Sequence, residues 1–159
     1  MKPGVLVSGA VLAALSGAAI AACGPPANKV SGNGINTLLN NSLVCGRPGA
    51  NYPGDPNDRW QEVHASIGSG NGSASFSDYK KGPSDPVDPT AVMGTWSKDA
   101  SNNVTYNYTR FTPNFSVTYD GIFLISGSTY SFCVGANEYA RGTVTNPAPA
   151  NGCQGVYPP

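Results

Sequence analysis

Trp60, Glu62 and His64 stand two apart in the run Arg59-Trp60-Gln61-Glu62-Val63-His64. In an extended strand alternate residues share a face, which would set an indole, a carboxyl and an imidazole side by side. His64 is the chain's only histidine. Glu62 could then orient the imidazole, and His64 could act as general base in a small hydrolase or isomerase. No serine sits in a G-x-S-x-G elbow, so no partnered nucleophile accompanies them. The preferred reading is the plainer one, a rim strand whose histidine is solvated or hydrogen-bonded.

A second group is aromatic. Trp96, Tyr106, Tyr108, Phe115, Tyr119, Tyr130 and Phe132 recur at strand spacing. Such rings usually fill a core, but in a barrel they can line a ligand cavity. Trp60, Trp96, Tyr106 and Tyr108 are the candidate ligand-binding residues. Asp55, Asp58, Asp85 and Asp88 lie in Pro-rich loops and offer oxygens to Ca²⁺. EF-hand spacing is absent, and Asp in such loops commonly caps local backbone. One histidine and oxidised cysteines do not make a zinc site. No metal or other cofactor is expected.

The elements that must position these groups are short. The chain has 20 Gly and 14 Pro among 159 residues, so turns are frequent. Ile35, Leu38, Leu39 and Leu43 fall at helical spacing, and Asn40 and Asn41 weaken that helix. Strands are expected over 59–65, 73–80, 92–98, 104–109, 115–119, 122–125, 130–134 and 139–145, and 42–46 could begin a further stretch carrying Cys45. Pro83, Pro86 and Pro89 forbid a regular ladder between two of them. Asp120-Gly121 is the strongest hairpin signal. The expected fold is mainly β: an antiparallel meander of seven or eight short strands closing as a small barrel or sandwich, with a short N-terminal helical segment.

The first residues carry an address. Lys2, the apolar run Val5 to Leu15, and small residues up to Cys23 have the layout of a secretory signal peptide. The expected organisation is a leader over 1–22, an extended lead-in over 23–34 and one β-rich domain over 35–159. Cleavage after Ala19-Ile20-Ala21 would release a soluble chain. Ile20-Ala21-Ala22-Cys23 also resembles a bacterial lipobox, in which Cys23 would be acylated and hold the protein on a membrane surface. Parity favours the soluble form: Cys23, Cys45, Cys133 and Cys153 can all pair, whereas lipidation strands one thiol. Connectivity stays open among three arrangements. Cys45 with Cys133 is the preferred one, leaving Cys23 and Cys153 to pin the ends.

Removing the leader leaves about 137 residues, one ordinary domain. Charged residues make up 11% of the chain, below the roughly 25% of typical soluble proteins. Of nine Lys and Arg, Lys2 lies in the leader, so eight face nine Asp and Glu. Such a chain has no basic face for nucleic acid and no polybasic run for anionic lipid.

Several strings occur together: Asn28-Lys29-Val30-Ser31-Gly32, Val44-Cys45-Gly46, Arg59-Trp60-Gln61-Glu62-Val63-His64, Asp78-Tyr79-Lys80, Gly82-Pro83-Ser84-Asp85-Pro86-Val87-Asp88-Pro89, Gly94-Thr95-Trp96-Ser97, Val104-Thr105-Tyr106-Asn107-Tyr108 and Tyr130-Ser131-Phe132-Cys133. In that order they resemble a family of small, exported, uncharacterised proteobacterial proteins. The resemblance covers most of the mature chain and implies no activity. The Gly-Thr-Trp-Ser to Val-Thr-Tyr-Asn-Tyr hairpin is also similar to strands of lipocalin-like envelope proteins. The expected role is an exported, non-enzymatic binding or structural module of the envelope or secretome, periplasmic or secreted. Its partner would be a small molecule or an envelope protein. A membrane anchor arises only through Cys23, and no membrane span is expected.

Overall fold

Period-two alternation carries most of the chain into strands. The computed structural model describes residues 23–79, 91–153 and 157–158. The leader and the proline crossing with Asp85 and Asp88 lie outside the described residues. The described elements are β1 (Lys29–Val30), α1 (Asn33–Leu39), β2 (Leu43–Pro48), β3 (Trp60–His64), β4 (Gly72–Tyr79), β5 (Ala91–Lys98), β6 (Val104–Tyr108), β7 (Phe115–Tyr119), β8 (Gly121–Ser126), β9 (Thr129–Val134) and β10 (Asn137–Thr145), with a 3-10 turn at Pro26–Asn28. The fold is mainly β, as expected, but the strands among the described residues number ten rather than seven or eight. No helix among the described residues is long and apolar enough to cross a membrane.

All ten strands form one antiparallel sheet in the order β1-β8-β9-β10-β2-β3-β4-β5-β6-β7. Two meanders compose it, β2 to β7 and β8 to β10. They join where β10 pairs with β2 through Thr143 and Cys45. The expected hairpin at Asp120-Gly121 is not there. β7 pairs with β6 through Tyr119 and Val104, and β8 pairs with β9 through Gly121 and Cys133. Asp120 is the single residue between them. A type I′ turn needs positive φ at both central residues, and neither Asp120 nor Gly121 has it. Instead the Asp120 amide donates to the Cys133 carbonyl at 3.1 Å, and its carboxylate accepts the Gly135 amide at 3.0 Å. The chain thus leaves one meander and starts the other without reversing.

The sheet coils until its inner side chains meet. Tyr119 of β7 packs against Phe132 of β9, ring centroids 5.4 Å apart. The interior holds Phe76, Trp96, Val104, Tyr106, Ile122, Phe132 and Val144. Helix α1 adds Ile35 and Leu39 to this core. It ends at Leu39 because Asn40 is extended and Asn41 turns at φ 56°, so Leu43 belongs to β2 rather than to the helix. Asn36 Nδ2 ties α1 down by donating to the Gly68 and Gly70 carbonyls at 3.0 and 2.9 Å.

Two disulfides fasten the ends. Cys23 bonds Cys133, and Cys45 bonds Cys153. The preferred pairing of Cys45 with Cys133 is therefore wrong. β10 lies between β2 and β9, which holds those residues at least roughly 10 Å apart, beyond the ~7 Å reach of a disulfide. β1 runs beside β8, next to β9, and delivers Cys23 to Cys133. The C-terminal segment crosses the outer face, where Leu43, Cys45 and Cys153 pack with Val63, Ala148 and Tyr157. Arg47 Nε holds its end by donating to the Pro158 carbonyl at 2.9 Å. Two native disulfides indicate an oxidising, extracytoplasmic environment.

Candidate functional site

Strand β3 turns Trp60, Glu62 and His64 toward the interior, and they divide along its length. Trp60 and Glu62 reach a cleft of about 110 Å³, while His64 lies outside its lining. The cleft's rings include Tyr52, Trp60, Tyr108, Phe115, Tyr119 and Tyr139, and its carboxyls are Asp58, Glu62 and Asp78. Register explains the carboxyls on β3 and β4, since Glu62 is paired directly with Asp78. Gly46 faces Trp60 across the β2–β3 ladder, and a Cβ there would collide with the indole. The missing side chain is what gives Trp60 its seat.

Glu62 is 5% exposed. Its Oε1 accepts the Tyr108 hydroxyl at 2.5 Å. Burial pushes its pKa up to about 8; the Tyr108 hydrogen bond pulls it back and the neighbouring Asp78 adds to the rise. At neutral pH the carboxyl is therefore mostly protonated. Burial likewise holds the hydroxyls of Tyr106, Tyr108 and Tyr119 well above the usual phenol range, helped by Glu62. Tyr108 stacks on Phe115 with centroids 4.4 Å apart and meets Phe76 edge-on at 5.0 Å. Tyr52 packs on Trp60 and on Tyr139 at 6.0 and 5.4 Å, and its hydroxyl bonds to Asp58. Two hydrogen-bonded hydroxyls thus help to fix the wall.

His64 has a different setting. It is 1% exposed and is enclosed by Phe76, Trp96 and Tyr106. Nε2 and the Tyr106 hydroxyl are hydrogen-bonded at 2.8 Å. Burial drives its pKa down to about 3, against a smaller upward pull from the Ser42 and Glu62 backbone. Nδ1 has no hydrogen-bond partner among the described residues. The imidazole is therefore neutral, and the Glu62 carboxyl is held by Tyr108 rather than by the ring.

The four aromatic candidates also divide. Trp60 and Tyr108 line the cleft. Trp96 and Tyr106 are buried in the core, where Trp96 Nε1 donates to the Ala65 carbonyl at 2.9 Å. Tyr106 does border a void of about 10 Å³ behind Trp60, shared with Glu62 and Arg141, room for one water. Of the loop aspartates, Asp55 accepts the Asn57 amide at 2.8 Å, an Asx turn. Asp58 borders the cleft. No group of three or more His, Cys, Asp or Glu among the described residues could hold a metal ion.

Tyr52, Asp78 and Tyr139 are site residues that sequence reasoning did not single out. Tyr52 sits in a Pro/Gly loop with no period to read. Tyr139 sits at a bulge in β10 between Glu138 and Ala140, which breaks the alternation. Asp78 needed the β3–β4 register, which the two strand sequences do not state.

Chemically, this arrangement can enclose a small ligand among rings and offer it a carboxyl that changes charge near neutral pH. No protein family, curated protein or solved structure matches this chain.

Proposed function

We propose that this protein is an exported binding module, periplasmic or secreted, that holds a small molecule in the cleft walled by Trp60 and Tyr108. The observation that carries the reading is a cleft of about 110 Å³ combining seven rings with the buried carboxyl of Glu62. Pockets of this make-up, apolar walls with few convergent polar groups, are the usual form of ligand sites. In this reading the coiled sheet closes as a small barrel around the cleft, with the continuous β7–β8 chain as its seam. The Tyr119 and Phe132 contact supports that closure.

The reading as a hydrolase or isomerase centred on His64 and Glu62 has less support. His64 lies in the core behind Tyr106, with a pKa far below the working range of a general base. Two disulfides favour the soluble over the lipidated form, since the Cys23 sulfur cannot form both a thioether and the bond to Cys133.

Ligand-observed NMR against a library of small compounds tests the reading. Hits should compete for one site. Val117→Trp, which fills the cleft, should abolish them without unfolding the chain, and His64→Phe should leave them intact. Hits that survive Val117→Trp would place binding elsewhere.

A further inference from the structure

Resting on the reading of the cleft as a ligand site, we propose that its ligand is a small free alkylammonium cation, enclosed among Tyr52, Trp60, Tyr108 and Tyr139 with Glu62 as its buried counter-charge. Three features of the cleft converge on that class. Its walls are aromatic, and ring faces carry the negative lobe of a quadrupole that attracts a cation once water is excluded. Its ionisable lining, among the described residues, consists of carboxyls and phenols, with no Lys, Arg or His. Its volume of about 110 Å³ is well below the ~300 Å³ of a drug-sized site, the scale of a ligand of only a few heavy atoms. A small quaternary or tertiary ammonium head is of that scale.

Glu62 supplies the electrostatic need. The groups that face it are Tyr106 and Tyr108 from β6, Tyr119 from β7 and Asp78 from β4. From β10, Arg141 borders the small void behind it, with its guanidinium held by Glu138 at 2.8 Å. A buried carboxyl so placed is held neutral. A bound cation reverses that preference, so binding must expel the Glu62 proton whenever the free protein holds it. Affinity then rises with pH up to about 8 and levels off above it. The same carboxyls disfavour a phosphate beside the ammonium, which selects a free amine over a phospholipid headgroup.

Calorimetry on the disulfide-bonded chain at pH 6.5 and 8.5 provides the test, with three probes. Choline carries the cation, 3,3-dimethylbutan-1-ol has the same shape without charge, and phosphocholine adds the phosphate. Choline should bind about 10-fold more tightly than the neutral alcohol. It should bind about 10-fold more tightly at pH 8.5 than at 6.5, with proton uptake by the buffer at the lower pH. Glu62→Gln should flatten that pH dependence; the proton count in the unaltered protein gives the same information without a variant. Equal binding of choline and the alcohol would overturn the cation inference and leave the binding reading standing. Binding of library compounds but not of choline would do the same. Choline affinity independent of pH would remove Glu62 as the counter-charge. Phosphocholine binding as tightly as choline would overturn the choice of a free amine. Failure of the library and choline alike would remove both readings.

Discussion

Glu62 and His64 sit two residues apart on one strand, and burial moves them in opposite directions. Glu62 rises from 4.5 to about 8, and His64 falls from 6.5 to about 3. Between pH 4.5 and 8 the folded chain holds the Glu62 proton more firmly than the unfolded chain, so this group's stabilisation is lost as pH rises through that window. Between pH 6.5 and 3 the unfolded chain binds the His64 proton more firmly, so stability is lost as pH falls. From 4.5 to 6.5 the two slopes oppose each other. The expected profile is a plateau there, falling on both sides by up to about 1.4 kcal/mol per pH unit. Denaturant midpoints measured from pH 3 to 9 check it. Glu62→Gln should remove the alkaline limb and extend the acid limb up to pH 6.5, and His64→Phe should remove the acid limb and extend the alkaline limb down to pH 4.5, since either change leaves the other slope uncancelled across the plateau. A flat profile in the parent chain would show that neither group is held as described.

At the scale of elements, the cleft depends on how β2 receives β3. Gly46 leaves space for the Trp60 indole, and any Cβ there collides with it. Gly46→Ala should displace Trp60, cost about 1–3 kcal/mol as overpacking does, and weaken ligand binding more than Ala substitutions on the outer face of β2 do. Thermal unfolding, together with quenching of indole fluorescence by iodide, reads both effects. Strand positions were largely legible in the sequence because they rest on alternation, a local property. Trp60, Glu62 and His64 were correctly placed on one face for that reason. The neighbours of those residues were not legible. Asp120-Gly121 reads locally as a reversal, yet the Cys133 carbonyl and the Gly135 amide, both from β9 and its turn, capture Asp120 and keep the chain moving forward. Asp78 joins Glu62 only through register. The separation of Trp60 and Tyr108 from Trp96 and Tyr106 follows from depth in the coiled sheet, which no period encodes.

For the whole molecule, the two disulfides decide what form the protein can take. They link residues 110 and 108 apart, and closing loops of that length stabilises a fold by about 2–4 kcal/mol each, chiefly by restricting the unfolded chain. Cys23 is the residue where topology and processing compete. Its sulfur joins Cys133, a residue with no exposed surface. Acylation of Cys23 would consume that sulfur and leave Cys133 as a buried thiol in an oxidising compartment. The soluble form predicts an intact mass, from the native host, lower by four hydrogens than the reduced chain, and no thiol reactive to alkylation before unfolding. Cys23→Ser should then lower stability by about 2–4 kcal/mol and expose one thiol, that of Cys133, only in denaturant, while the cleft and its pH-dependent carboxyl persist. A mass increased by a diacylglyceryl group and a fatty acyl chain on Cys23 would refute this arrangement. It would leave Cys45–Cys153 as the only bond available and place the cleft at a membrane surface.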